Sequence, residues 1–411
     1  MTFDSFFSGL MRERGNGKQP VTTIELFFDL VFVFAVTQLS HLLLEHLNWH
    51  GVFQTALLLL AMWTSWIYTA WVTNWLDPNR RPVRLMLIML MLIGLMMSAA
   101  LPEAFGDRGL AFAALFVLSQ LGRTLFFLRA VREDPPLVRN FQRIIIWMAI
   151  SGIFWLAGGI ADGSTRELLW VIALTIDYLG PAMGFVVPGL GRSTTHDWAS
   201  ISGGHMAERC QLFLIIALGE SILVTGATFA QMDVTFWVLV AFITAFAGSA
   251  ALWWIYFDRS AEDAGEEIAH SDDPGRLARS AYTYLHLPMV AGIIVTAVGD
   301  EMSIAHPTGD TGIATALLVC GGPALFLAGH AMFKYAVWQR ISIPRVLAIA
   351  SLLVLVPIGT LGPPVMIAIL STVVVVGVVL WDASLLPVTI GQPFHPKLEG
   401  AEAEFTPFDE G

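Results

Sequence analysis

Apolar segments of about twenty residues recur along this chain, and they restrict the fold more than any other feature. A helix of this length crosses the hydrocarbon core of a membrane. Hydrophobic residues make up 56% of the chain and charged residues 13%, with a mean hydropathy of +0.68. These values are far too apolar for a soluble domain. We therefore expect an all-α integral membrane protein whose partner is the lipid bilayer.

The apolar segments predict twelve transmembrane helices. The first six are expected over residues 24–44, 51–73, 83–102, 109–131, 141–161 and 167–189, and the second six over 207–230, 234–257, 280–300, 311–333, 344–361 and 363–382. Only Gly362, Pro363 and Pro364 separate the last two segments, so the number falls to eleven if this break is merely a kink.

The basic residues predict an orientation. When the loops are assigned alternately to two sides, only Arg108 and Arg166 fall on one side and Arg123 lies within a span, while the remaining 19 of the 22 basic residues fall on the other side. Lys and Arg collect in cytoplasmic loops. We therefore expect both termini in the cytoplasm and a multi-pass protein of the inner (cytoplasmic) membrane.

The same pattern divides the chain into four parts. Residues 1–20 are expected to form a cytoplasmic segment, in which the spacing of Phe3, Phe6, Phe7, Leu10 and Met11 predicts a short amphipathic helix. Residues 21–192 and 193–382 are expected to form two six-helix halves, and residues 383–411 a disordered cytoplasmic tail. The acidic loop at 262–273 is expected to be a solvated surface.

The two halves contain similar motifs in the same order. Trp-Ile-Tyr occurs at residues 66–68 and again at 254–256, and the QRIIIW segment from Gln142 resembles the PRVLAI segment from Pro344. Six helices in each half predict a parallel repeat, related by an axis along the membrane normal. Chance recurrence is the alternative in a chain with 14 Trp residues.

Two carboxylates interrupt the first apolar segment, TTIELFFDLVFVFAVTQLSH. Glu25 and Asp29 are four residues apart, so they share one helix face. A charge in hydrocarbon costs roughly 2.5 kcal/mol or more, so each needs a partner, a watery cavity or a function. Arg123 is expected at a similar depth to Asp29, where it is available as a counter-ion or as a substrate ligand.

A second polar stretch, HMAERCQLFLIIALGESILVT, covers residues 205–225. Glu208 lies at the helix start, and Arg209 and Glu220, eleven residues apart, occupy one stripe about 16 Å long. Glu220 lies deep in an apolar segment, so it must be paired or exchange a proton. Asp177 is expected near the middle of the bilayer.

Each of these residues has a structural alternative, since an ion pair or a helix cap also satisfies a buried charge. His286 and His330 are expected to be structural. The candidate residues for binding substrate or protons are Glu220, Asp29, Glu25, Arg123, Asp177, Glu208, Arg209 and His286.

The chain lacks the motifs of soluble enzymes. It contains no Gly-rich phosphate loop, no zinc-spaced His/Cys set and no Gly-x-Ser-x-Gly elbow, and its two cysteines lie in apolar or helix-start contexts. We expect no cofactor, no metal and no enzyme activity, although an intramembrane enzyme could still use Asp or His. The net charge of −11 argues against a nucleic-acid partner.

Four motifs together resemble the bacterial low temperature requirement A family. They are ELFFDLVFVFAVTQLSH at 25–41, AERCQLFLIIALGES at 207–221, LWWIYFD at 252–258 and YTYLHLPMVAGIIVTAVGDE at 282–301. The resemblance implies a multi-pass inner-membrane protein associated by name with growth in the cold. It implies no substrate or reaction, so it assigns no role to any residue.

A weaker likeness concerns the Glu-x-Phe-x-Asp pattern that opens the first helix. It is similar to the Phe-Ser-Asp signature of the lysosomal potassium channel family, with Phe28 in place of the serine. The seventh predicted helix has no matching Phe-x-Asp.

Three hypotheses follow. The leading one is a transporter of a small solute or ion that supports growth in the cold, with Glu220 or Asp29 exchanging protons in an interior cavity. The second is a non-transporting membrane factor that senses or tunes lipid state, whose buried charges form closed ion pairs. The third is a cation channel with a pore lined by the first and seventh helices.

Overall fold

A computed structural model of the chain describes Phe7, residues 9–12, 20–198, 201–257, Leu277 and residues 279–384. These residues form twelve α-helices and no strand. The first six helices are α1 (Thr23–Glu45), α2 (Trp49–Trp75), α3 (Arg81–Ala100), α4 (Gly109–Ala130), α5 (Pro135–Ile160) and α6 (Gly163–Ala182). The second six are α7 (Gly203–Gln231), α8 (Phe236–Phe257), α9 (His286–Ala305), α10 (Ile313–Trp338), α11 (Ile343–Gly359) and α12 (Pro364–Ser384).

The described residues form twelve helices where the sequence predicts twelve transmembrane helices. α11 ends at Gly359 and α12 begins at Pro364, so the Pro-rich break separates two helices. Ten of the helices are long and apolar enough to cross a membrane. The two exceptions are α6, which carries Arg166, Glu167 and Asp177, and α11, which has 17 residues.

The predicted start of α5 and the predicted end of α6 differ from the observed ones for local reasons. α5 begins at Pro135 rather than near 141, because Asp134 caps the helix by accepting the Leu137 N–H at 3.1 Å and a proline fits the first helical position. α6 ends at Ala182, seven residues before its predicted end at residue 189. The chain turns there through Gly184 and Phe185, both with positive φ.

The packing of the helices follows one order in each half. α1 packs against α2 and α3, and α3 to α6 pack successively against one another. In the second half, α7 packs against α8 and α9, and α9 to α12 pack successively. The halves meet where α1 and α2 contact α7 and α9.

The outer faces of the helices are apolar. In α3, for example, Leu85, Met89, Leu92 and Met96 are about half exposed, whereas Leu87 on the opposite face is buried. In water such a stripe would be costly. The pattern fits contact with lipid tails around the bundle.

The described part of the N-terminal segment lies along the end of α2. The Arg12 N–H donates to the Trp75 carbonyl and the Asp77 N–H to the Leu10 carbonyl, both at 2.8 Å. The side chain of Leu10 is buried. Most of the predicted amphipathic helix, the acidic loop at 262–273 and the tail after residue 384 lie outside the described residues.

α9 and α10 approach each other closely through glycines. A Cβ on Gly322 of α10 would come within 2.5 Å of the Thr296 backbone nitrogen in α9, and a Cβ on Gly292 within 2.5 Å of the Phe326 nitrogen. By contrast, a Cβ on Gly321 would meet no atom of another segment within 4 Å. The contact therefore depends on particular glycines.

We expect Gly322→Ala to lower the free energy of unfolding by about 1–3 kcal/mol, because the added methyl overlaps backbone that cannot move aside. Gly321→Ala is the matched control and should be neutral or stabilising, since alanine favours a helix by up to about 1 kcal/mol. Thermal denaturation of both variants in detergent measures the difference. Equal stability of the two variants would contradict this packing.

Candidate functional site: buried charges between and within the halves

Glu25 lies in the first turn of α1 and is fully buried. Both of its carboxylate oxygens accept from Arg12 Nη2 at 3.0 Å, and Oε1 lies 2.9 Å from His205 Nε2 at the start of α7. Oε2 also accepts from the backbone N–H and the hydroxyl of Thr22, at 2.9 and 2.8 Å. Glu25 thus caps its own helix and binds two other segments.

Asp29 lies one turn further along the same face and is also fully buried. Its Oδ1 accepts from Arg209 Nη2 of α7 and from the indole Nε1 of Trp66 in α2, both at 2.7 Å. Arg209 Nη1 is 3.5 Å from Glu25 Oε1, so one guanidinium faces both carboxylates. Asp29 Oδ2 and Arg209 Nε have no hydrogen-bond partner among the described residues.

Asn74 faces one ring nitrogen of His205. The Asn74 Oδ1 accepts the Ser202 N–H at 2.9 Å, which leaves its Nδ2 facing His205 Nδ1 at 3.3 Å. Nδ1 is assigned as the acceptor from Asn74, and Nε2 as the donor to Glu25 Oε1 at 2.9 Å; Nε2 also lies 3.2 Å from Arg12 Nη2, which binds the same carboxylate. His205 is then neutral, and Arg12 and Arg209 balance the two carboxylates.

Aromatic side chains enclose this network. Arg209 lies 5.8 Å from the ring centres of both Phe28 and Trp66, in position for cation–π interactions. Phe213 packs against Trp66 with ring centres 4.4 Å apart. The charges are therefore held away from water and depend on each other for stabilisation.

Glu208 lies outside the ion pairs. It is half-buried, and its Oε2 accepts the Val21 N–H at 3.0 Å. This bond holds the chain as it enters α1.

Arg123 was a possible counter-ion for Asp29, and the structure does not pair the two side chains. Arg123 of α4 donates to the Ser65 carbonyl and the Thr69 hydroxyl of α2, both at 3.2 Å, and to Gln120. α7, not α4, packs against α1, so Arg209 takes the place beside Asp29. No carboxylate pairs with Arg123 within the described parts of the chain.

A cavity lined mainly by aromatic side chains lies close to Arg123. The guanidinium lies 5.5 Å from the Tyr68 ring, and Tyr68 forms part of the cavity wall. The other lining residues are Trp71, Phe141, Ile144, Pro181, Phe185, Trp198 and Thr283.

Asp177 and His286 each have neutral partners. Asp177 accepts from the Ser151 hydroxyl and from Trp155 Nε1. His286 Nε2 accepts from the Tyr256 hydroxyl at 2.7 Å, while Nδ1 donates to the Ala281 carbonyl at 2.9 Å. His330, expected to be structural, accepts from Arg345 Nε at 3.1 Å.

Glu220 differs from the other candidate carboxylates. It lies in α7 with 4% of its surface exposed, and it makes no hydrogen bond or ion pair with any residue that the structure describes. The position beside it, Gly219, borders open space. A carboxylate in this environment has no fixed counter-charge.

Sequence reasoning missed three residues of the site and one further carboxylate. Arg12 and Trp66 join the network from other segments, and His205 was noted only as part of a motif. Asp300 was placed at the end of a predicted span, yet α9 continues to Ala305. The sequence contains little signal of this, because only residues 302–305 separate Glu301 from His306 and Pro307.

The fold and its buried polar groups define a polytopic helical membrane protein. The chain matches the family model of the bacterial low temperature requirement A protein over residues 20–380, and it belongs to that family. It is 42% identical over 328 residues to the uncharacterized protein RA0937 of Rhizobium meliloti (strain 1021), which covers 79% of each chain. No solved structure matches the chain.

We expect Asp29→Asn and Arg209→Gln each to lower the free energy of unfolding by about 3–5 kcal/mol, because each leaves a buried partner without its counter-charge. The double variant should cost at least about 1 kcal/mol less than the sum. Denaturation of all four proteins in detergent gives the coupling energy.

Glu208→Gln is the control for this cycle. An amide oxygen can still accept the Val21 N–H, so the change should cost less than about 1 kcal/mol. Additive effects of Asp29→Asn and Arg209→Gln would refute the pairing.

Proposed function

We propose that the chain is a transporter of a small solute or ion in the inner membrane, in which Glu220 exchanges a proton. The observation that carries this proposal is the contrast among the buried carboxylates. Glu25, Asp29 and Asp177 have hydrogen-bond donors, whereas Glu220 has none among the described residues. A carboxylate without a fixed partner is free to change its protonation state.

The arrangement of the helices supports an alternating transporter. Each half has the same order of packing, and the tyrosine of each Trp-Ile-Tyr motif lies beside the fourth helix of its half, whereas Trp66 is buried and Trp254 is half exposed. Tyr68 lies beside Arg123 of α4, and Tyr256 lies 6.0 Å from the ring of His330 in α10. Such neighbours favour two halves, 21–192 and 193–382, related as a parallel repeat.

A second pair of contacts also supports the repeat. Arg143, about two turns into α5, bonds to Asp197, and Arg345 in the first turn of α11 bonds to Asp382. Both arginines belong to the similar segments that begin at Gln142 and Pro344. An even number of helices then leaves both termini on one side, which the basic loops make cytoplasmic.

Within this proposal the ion-pair network has a structural role. Glu25, Asp29 and Arg209 hold α1 against α7 at the contact between the halves. The name of the family refers to a low temperature requirement, and we extend that role to this chain as support for growth in the cold.

Proton movement in proteoliposomes tests the proposal. Liposomes containing a trapped pH-sensitive dye and an acidic interior receive NaCl, KCl or pooled amino acids outside. We expect at least one addition to speed loss of the gradient, and Glu220→Gln to reduce that rate at least about tenfold, because the amide cannot exchange a proton.

Asp177→Asn is the control, since Ser151 and Trp155 already satisfy that side chain, and it should keep most of the flux. If well-folded Glu220→Gln protein transports protons as fast as the unchanged protein, Glu220 does not have this role.

A second candidate function is a non-transporting factor that senses or tunes lipid state. The observation in its favour is that the α1–α7 network is charge-balanced and enclosed by Phe28, Trp66 and Phe213. It predicts no flux for any addition. It also predicts a melting temperature that depends on lipid unsaturation in nanodiscs, and a lipid-independent melting temperature would argue against it.

The channel hypothesis requires a pore between α1 and α7. Phe32 and Phe213 pack across this contact with ring centres 6.4 Å apart, so the arrangement favours transport by conformational change over an open pore.

A further inference from the structure

We infer that the second half binds a monovalent cation of about sodium size at Asp300. This inference goes beyond the proposed function and does not rest on it, because it concerns binding at a site separate from Glu220. It is carried by an unpartnered carboxylate, a small cavity and the oxygen atoms that line that cavity.

Asp300 lies in α9, where charge is costly. Its Oδ2 is buried and has no hydrogen-bond partner among the described residues, and no described basic residue forms an ion pair with it. In a membrane such a carboxylate requires a compensating positive charge or a proton. The side chain lines a cavity formed by α8, α9, α10 and α12.

The other polar groups of this cavity are oxygen atoms suited to a hard cation. Thr296 lies one turn before Asp300 on the same face of α9, and Ser371 and Thr372 come from α12. Their hydroxyls donate to the carbonyls of Gly292, Val319 and Thr244 at 2.8, 2.9 and 3.4 Å. A hydroxyl that donates its proton to a carbonyl keeps its lone pairs available for a cation.

Pro323 adds a further oxygen. It lies within α10 and lines the cavity, and because proline has no N–H, the Val319 carbonyl four residues earlier lacks its helical partner. Ser371 fills one of the two lone-pair positions of this carbonyl. Freed helix carbonyls near a buried carboxylate are a recurring way to bind sodium in membrane transporters.

The size and charge of the cavity restrict which ligands can bind there. There is room for about one water molecule, which excludes an organic solute. Asp300 is the only carboxylate among the lining residues, so one negative charge faces several neutral oxygens. One positive charge balances this set, and a divalent ion would leave a buried excess. Val319 and Ser371 lie about 10 Å inside the ends of their helices, so the ion would lie within the membrane.

Thermal stability of the full-length protein in nanodiscs tests the site. NaCl is compared with choline chloride and KCl at equal concentration and fixed pH. We expect sodium to raise the melting temperature by at least about 2 °C over choline, with a smaller effect of potassium, because a ligand that binds only the folded state stabilises it.

The matched variants locate the ion. Asp300→Asn should abolish the sodium effect, whereas Glu301→Gln should keep it, since Glu301 is the adjacent carboxylate and does not line the cavity. Thr372→Val removes one lining oxygen with little change of shape, and should raise the sodium concentration for half-maximal stabilisation several-fold. This last variant decides the question if Asp300→Asn fails to fold.

Equal stability in sodium and choline would overturn the inference, as would a sodium effect retained in folded Asp300→Asn protein. A response to acid alone would mean that Asp300 binds a proton, and equal responses to sodium and potassium would refute the size selection. None of these results bears on Glu220, because proton flux is measured separately in proteoliposomes.

Discussion

The guanidinium of Arg209 faces the carboxylates of Glu25 and Asp29, and this contact joins the first helix of one half to the first helix of the other. In a membrane, helices gain little from burying apolar surface against each other, because lipid tails are equally apolar. Specific polar contacts and close backbone approach therefore carry more of the association. The α1–α7 network is such a polar contact, and the glycines between α9 and α10 allow such a close backbone approach.

The network also separates structural charges from those available for function. The positive charges of Arg12 and Arg209 balance the negative charges of Glu25 and Asp29, and His205 is neutral, so the α1–α7 contact has no net charge. Glu220 and Asp300 lie outside it and have no ionic partner among the described residues. The network therefore satisfies its own charges, and Glu220 and Asp300 are the carboxylates on which the two proposals rest.

The sequence predicted the helices well because length and hydropathy are local properties. It also placed Glu25 and Asp29 on one face, since a spacing of four residues has that meaning in any helix. It did not predict which side chains pair with the buried charges. Counting residues along a helix gives only the depth of a side chain in the membrane. Depth alone does not decide whether Arg123 or Arg209 lies beside Asp29, because that depends on the packing of α7 against α1. Arg12 directly follows the spacing that predicts an amphipathic helix, and that spacing says nothing about the partner of an arginine side chain.

Cys210 offers the most direct measurement of the central claim, that the α1–α7 contact is closed to water. It is buried next to Arg209, with Sγ 3.8 Å from the Tyr282 carbonyl, and in a Cys320→Ala variant it is the single cysteine. A hydrophilic, membrane-impermeant thiol reagent is applied to both sides of this variant in nanodiscs. We predict no labelling of the native protein over the time in which detergent-unfolded protein labels completely. Labelling of native Cys210 at a comparable rate would mean that water reaches the network, and would contradict the account.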